Sequence, residues 1–287
     1  MAQIAVLITI SILWAGSWLA LKIALQDVPP MTLAWMRFGI AVPVLAVIAR
    51  AARLRLPSDR RDWFWLALAG LISFAANYLL IFWGTQYIPA GLAAVLQATI
   101  PASGLLIGKL WLPDQRVSRL GVAGILVGIL GVAIFFGDQL RVASGLAAAA
   151  CVALALTSLT NGVGGVLVKR FLNHVNPILL ALCQQLCALP LLMGVAFVRE
   201  GAPWQFQWSA LSVASLLYMS LAASVLAFLL FFWLLKKWSA PRAMLYALLM
   251  PVVTLLLGWA VLGEQLTAQT LAGAAVVLLS VVFAVRN

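Results

Sequence analysis

The stretch Leu79-Leu80-Ile81-Phe82-Trp83 returns 150 residues later as Leu229-Leu230-Phe231-Phe232-Trp233. At the same separation Pro101 falls on Pro251, Leu105-Leu106 on Leu255-Leu256, Gly108 on Gly258 and Gln115 on Gln265. Upstream the separation is 147, which sets Lys22 on Lys169, Pro30 on Pro177 and Pro43 on Pro190. Leucine matches carry little information in an apolar chain, but prolines and a Phe-Trp pair recurring in register do. Self-similarity at a fixed period marks a repeated unit. The chain is therefore expected to divide into two related halves, residues 1–140 and 141–287.

Of the 287 residues, 65% are apolar and 9% charged. A soluble domain carries about 25% charged residues, so this chain cannot cover a water-facing surface. High hydrophobicity excludes a disordered chain as well. The charges fall between apolar stretches of roughly 20 residues, the length at which a helix rising 1.5 Å per residue crosses a ~30 Å hydrocarbon layer. Ten spans are predicted, near residues 4–25, 32–50, 63–83, 89–112, 117–137, 144–168, 177–198, 209–235, 240–262 and 267–285. Pro29-Pro30, Pro57, Pro113, Gly137 and Pro203 punctuate the junctions. Five spans per half is an odd number, so the second half enters the membrane with opposite orientation, as an inverted repeat. The predicted fold is an all-α integral membrane bundle around a central cavity, with halves that can rock about it to give alternating access.

Lys and Arg number 18 against 7 Asp and Glu, a net charge of +11. In a soluble protein this would suggest nucleic acid. In a membrane protein it follows from the retention of cations in cytoplasmic loops. With ten spans only Lys22, Arg141 and Arg199 fall on one side, while the others outside the spans, from Arg50 to Arg286, fall on the opposite side, so both termini are expected in the cytoplasm. Met1 to Gln3 carries no side-chain cation and the apolar run passes Trp18 to reach Leu25, which reads as a span and not as a cleaved signal. Cys151, Cys183 and Cys187 lie in apolar stretches without C-x-x-C spacing and read as buried thiols.

Polar and aromatic groups inside hydrocarbon are costly unless they face the bundle interior. Ser11, Trp14 and Trp18 share a stripe on the first span. Asn77 and Tyr78, beside Ser73, cluster on the third, and Gln97 sits mid-span on the fourth. Thr160 and Asn161, with Thr157, occupy the sixth, and Tyr246 and Met250 the ninth. These are the candidate substrate-binding residues, giving indole and phenol walls with a few hydrogen-bond groups, suited to a small amphipathic solute. The same side chains can also serve helix packing. Trp63, Trp65, Trp204 and Trp208 lie at span edges and read as interfacial belt residues. Pro101 and Pro251 each free the carbonyl four residues earlier, Gln97 and Ala247, and are the candidate gating kinks.

Asp27, Asp59, Asp62, Asp114, Asp138, Glu200 and Glu264 all lie at span ends or in loops, which argues against a carboxylate-switched cation antiporter. His174, flanking Lys169 and Arg170, reads as a solvated loop residue. Arg37 is the charge placed within a span. It either snorkels to the outer interface or forms an electropositive element for the carboxylate of a passing zwitterion. Gly121, Gly124, Gly128 and Gly131 follow no strand and read as a helix-packing stripe, not a phosphate loop. No catalytic constellation, metal site or cofactor is expected, so the chain is not read as an enzyme.

Leu13-Trp14-Ala15-Gly16-Ser17-Trp18 followed by Lys22, the helix around Pro101, the segment Leu262-Gly263-Glu264 and the four-glycine helix together resemble the EamA family of the drug/metabolite transporter superfamily. The resemblance spans nearly the whole chain. Leu112-Pro113-Asp114 departs from the Leu-Gly-Glu of the second half. Within the family the chain is most similar to aromatic amino-acid exporters of the YddG type. The resemblance implies a multi-pass protein of the bacterial inner membrane, with a cavity lined by the first, third, fourth, sixth, eighth and ninth spans. It also implies export of small amphipathic metabolites, amino acids including aromatic ones. A broad-specificity drug or metabolite exporter and a non-transporting membrane scaffold are the alternatives. The expected partners are a small-molecule solute and the lipid bilayer, with no nucleic acid, for a chain acting as a monomer.

Overall fold

The computed structural model describes residues 2–88, 90–112, 118–135, 145–262 and 267–286. Pro113, Asp114, Gln115, Arg116, Gly137, Asp138, Arg141, Gly263, Glu264 and Gln265 lie outside the described residues. Among the described residues the protein is all-helical. The first helices are α1 (Ala2–Ala24), α2 (Pro30–Ala51), α3 (Arg60–Gly84), α4 (Ala90–Gln97), α5 (Ile100–Trp111) and α6 (Arg119–Phe135). They are followed by α7 (Gly145–Phe171), α8 (Pro177–Arg199), α9 (Ala210–Lys237), α10 (Ala240–Ala243), α11 (Tyr246–Leu262) and α12 (Ala268–Arg286).

Eight helical segments among the described residues are long and apolar enough to cross a membrane, and the chain is a multi-pass membrane protein. The segments expected near 117–137 and 267–285 correspond to shorter apolar helices. Helix starts follow local chemistry. Pro30 and Pro177 occupy first-turn positions where the missing N–H is harmless. Asp59, Asn176 and Ser209 cap their helices by accepting from the backbone N–H groups of Arg61, Ile178 and Ser212.

Two features go beyond the hydropathy pattern. Helix α3 widens into a π-helical stretch at Leu71–Ala76, and α9 does so at Met219–Leu226. Each lies just upstream of the Leu-Leu-x-Phe-Trp segment. The span expected near 89–112 is interrupted at Ala98–Thr99, immediately before Pro101, where the Leu96 carbonyl accepts from the hydroxyls of Thr99 (2.6 Å) and Ser158 (2.9 Å). The span expected near 240–262 is interrupted at Met244–Leu245, and Pro251 lies inside the helix that follows. The two prolines thus occupy different local settings.

Packing runs crosswise. Helix α1 lies against α9 and α11, α7 lies against α3, α4 and α5, α2 packs on α8, and α6 packs on α12. Each of these contacts joins residues before 136 to residues after 144. The α6–α12 seam is set by glycine: a Cβ on Gly124 would stand 2.9 Å from the Ser280 carbonyl oxygen and 3.0 Å from the Ala284 nitrogen. One on Gly131 would stand 3.0 Å from the Val277 nitrogen. Outward faces are apolar, as with Ile4, Ile8 and Ile12 of α1.

Candidate functional site

The wide turn in α9 leaves carbonyls that an α-helix would have paired. The Trp14 Nε1–H from α1 donates to the Ala223 carbonyl at 3.0 Å, and Gln185 Nε2 from α8 donates to the Ser224 carbonyl at 2.8 Å. Around this brace the rings form a continuous train. Trp14 meets Tyr246 at 4.3 Å and Phe228 at 5.2 Å between centroids; Phe228 meets Phe74 at 4.7 Å, and Phe74 meets Phe38 at 5.6 Å. Phe38 in turn meets Tyr78 at 5.0 Å. Most of these pairs are edge-on or tilted, the arrangement favoured by ring quadrupoles. The structure therefore brings Trp14 and Tyr246 together, with Met250 packed on the same core. Trp18 lies in a second cluster, with Leu33, Phe82 and Leu216, and Tyr78 borders both clusters.

The polar candidates gather separately on α7. Asn77 Oδ1 accepts from Asn161 Nδ2 at 2.9 Å, with Thr160 Oγ1 3.1 Å away. One turn earlier Gln97 Nε2 donates to Thr157 Oγ1 at 2.9 Å. Ser11 is fully buried and gives its hydroxyl to the Leu7 carbonyl of its own helix, so its polar atom is engaged locally.

Arg37 is 4% exposed. Its guanidinium points into the bundle, where Nε donates to Ser224 Oγ at 2.9 Å and the cation lies 5.1 Å from the Tyr78 ring centroid. The structure thus resolves the two sequence readings of this residue against snorkelling. Phe38, Phe74, Phe228 and Gln185 were not singled out from the sequence. In so apolar a chain a phenylalanine carries no signal by itself. The neighbouring amides Gln184 and Gln185, mid-helix between prolines, were the one available clue.

The two ends of the bundle carry different chemistry. At one, Glu200 receives the backbone N–H groups of Met31 and Thr32 at 2.9 and 2.7 Å, an acid on a helix N-terminus. At the same end Asp27 receives the Ser209 N–H and the Ser212 hydroxyl. At the end rich in Lys and Arg, His174 Nε2 pairs with Asp62 at 2.9 Å, beside a hollow of about 330 Å³ lined by Trp65, Arg170 and Phe171 among others. Trp65 stacks on Phe171 at 3.9 Å, while Trp204 is 78% exposed. Cys151, Cys183 and Cys187 are free thiols.

The hydrogen bonds from Ser209 and Ser212 hold the Asp27 carboxyl below its ordinary value. A depressed pKa contributes stability that is present above the unfolded-state value and is lost as pH falls through the folded-state value. Asp27→Asn is therefore expected to lower the unfolding temperature modestly at neutral pH. The gap from the wild type should close as pH drops below the usual carboxylate range, and thermal unfolding in detergent across pH checks it.

The profile of the EamA-like transporter family matches residues 1–137 and matches again at 148–286. The chain belongs to the EamA-like transporter family. This EamA-like chain is 25% identical over 93% of its length to "Uncharacterized transporter YoaV" of Bacillus subtilis, covering 91% of that protein. It is 26% identical over 93% of its length to "Probable amino-acid metabolite efflux pump" of Salmonella typhimurium, covering 89% of it. It is also 28% identical over 91% of its length to "Probable terminal-alkyne amino-acid exporter" of Streptantibioticus cattleyicolor, covering 86% of it. A protein of known crystal structure shares the fold, with a TM-score of 0.82 and 18% identity over 99% of this chain and 96% of the other. Membership of the EamA-like family points to transport and away from catalysis.

Proposed function

We propose that the chain is a ten-span carrier of two inverted five-helix halves, residues 1–140 and 141–287. In this reading it exports small amphipathic metabolites, amino acids including aromatic ones, from the cytoplasm by alternating access. The observation that carries this reading is the crosswise packing. In register, α7 corresponds to α1, α8 to α2, and α9 to α3. Where α1 lies on α9 and α11, its counterpart α7 lies on α3 and on α4 and α5; α2 meets its own counterpart, and so does α6. Two packings related by such an exchange can open one shared interior to opposite sides. The wide turns, at 71–76 and 219–226, and the two matches to one family profile support the same division.

The amino-acid substrate is supported by the names of the Salmonella and Streptantibioticus relatives and by the ring train beside hydrogen-bonding amides. The bias of Lys and Arg supports cytoplasmic termini, and the family resemblance supports a place in the bacterial inner membrane. Pro101, beside a helix break closed by α7 side chains, and Pro251 are the proposed gating positions. Ser11, Trp14, Trp18, Asn77, Tyr78, Gln97, Thr160, Asn161, Tyr246 and Met250 remain the proposed solute-facing set.

Counterflow in liposomes with purified protein tests the reading, using labelled phenylalanine, threonine, lysine and a quaternary ammonium dye. The expected result is exchange of the neutral amino acids and not of the dye. Dye exchange alone would shift the reading to a broad-specificity exporter. Absence of exchange for every solute would favour a static scaffold.

A further inference from the structure

Arg37 is the eighth residue of α2, about 10 Å along the helix from its start. A guanidinium stays charged under all ordinary conditions and carries five N–H donors in a planar fork. Here Nε–H is engaged by Ser224 Oγ, and the cation lies over the Phe38 and Tyr78 rings at 5.4 and 5.1 Å. Among the described residues no carboxylate is within ion-pair distance of it. A buried cation without a counter-charge is strongly unfavourable, and ring faces with one hydroxyl offset only part of that.

A second orphan flanks the same residue. Gln185 is fully buried; its Nε2 is fixed on the Ser224 carbonyl, which directs its Oε1 elsewhere, and among the described residues that oxygen meets no donor. Ser224 is thus held by Arg37 on its hydroxyl and by Gln185 on its carbonyl. Among the described residues, cationic donors and an acceptor without partners stand on either side of one serine, in the wide turn of α9, beside aromatic faces.

We propose that Arg37 and Gln185 read the head group of a zwitterionic α-amino acid. The carboxylate takes the remaining N–H groups of Arg37, and the ammonium donates to Gln185 Oε1. The solute's side chain lies against the Tyr78 and Phe38 rings. This rests on the export reading above and deepens it by naming what the site requires: both charges of the head group, with tolerance in the side chain. Both residues are closed off in the packing described, so the solute reaches them when α2, α8 and α9 part.

The test is counterflow in the same liposomes with phenylalanine, phenylalaninamide, which lacks the carboxylate, and N-acetylphenylalanine, which lacks the ammonium. The wild type is expected to exchange phenylalanine about ten- to a hundredfold faster than either analogue, the discrimination typical of one charged hydrogen-bonding pair. Arg37→Gln is expected to remove most phenylalanine exchange and, in what remains, to abolish the preference over the amide. Arg37→Lys should restore part of that preference, whereas Gln185→Leu should selectively lose discrimination against the N-acetyl form. Equal exchange of acid and amide by the wild type would overturn the proposal and leave amino-acid export standing, with no need for any variant to fold. An unchanged acid-to-amide ratio in Arg37→Gln would also overturn it. No exchange of any neutral amino acid by the wild type would remove the export reading and this inference with it.

Discussion

Replacing Trp14 with alanine is expected to destabilise the folded protein by about 3 kcal/mol, the scale for truncating a packed tryptophan, and to abolish exchange. The ring touches Phe228 and Phe231 of α9 and Tyr246 of α11, so its loss opens a void between α1, α9 and α11 that rigid helices cannot close. Trp14→Phe separates the two roles of the side chain. It preserves most of the ring contact but leaves the Ala223 carbonyl without its donor, a loss of about 1–2 kcal/mol. Thermal unfolding of purified protein in detergent should rank wild type, Phe and Ala in that order. Trp18→Ala, in the separate cluster, should leave the Ala223 bond intact. A Phe variant as stable as the wild type would show that the wide turn needs no brace.

The prominence of Trp14 was legible in the sequence, because a tryptophan well inside a span and in line with a serine is unusual. Asn77, Thr160 and Asn161 were legible as polar groups that hydrocarbon would force inward, but their direct pairing was not, because which helices face each other cannot be read from one span at a time. Hydropathy placed eight of the ten expected spans to within a few residues, since the bilayer thickness dictates their length. The π-helical turns were not legible. Leu71-Ile72-Ser73-Phe74-Ala75-Ala76 reads like any apolar helix, and its surroundings are set by partners more than a hundred residues away, such as Gln184, whose carbonyl oxygen would meet a Cβ on Gly70 at 2.5 Å. The direction of Arg37 was hidden for a related reason. Depth along a helix follows from counting residues, but which way a long side chain turns depends on what the neighbouring helices offer. The interruption at Met244–Leu245 was not legible, because it lies six or seven residues upstream of Pro251, the residue that marks a missing donor in the sequence.

Gly124→Val is expected to have the second largest effect, about 3 kcal/mol of destabilisation. Its Cβ would meet the Ser280 carbonyl oxygen at 2.9 Å and the Ala284 nitrogen at 3.0 Å. Both are backbone atoms that no rotamer change can move, so α6 and α12 would have to separate along the seam. Size-exclusion profiles and unfolding temperature should both register the loss. Gly108→Ala supplies the contrast, because among the described residues nothing lies within 4 Å of its added methyl group. Alanine there should be neutral or slightly stabilising through helix propensity. Similar behaviour of the two variants would show that the close approach at Gly124 is not what holds the seam.

Seating α6 directly on the main chain of α12 leaves no layer of long side chains between them to act as a bearing. Sliding or rolling one helix over the other would require peptide groups to climb past each other. The two are therefore expected to turn together as a single strut, with the deformation of the proposed working motion taken up elsewhere, at the interrupted and widened helices.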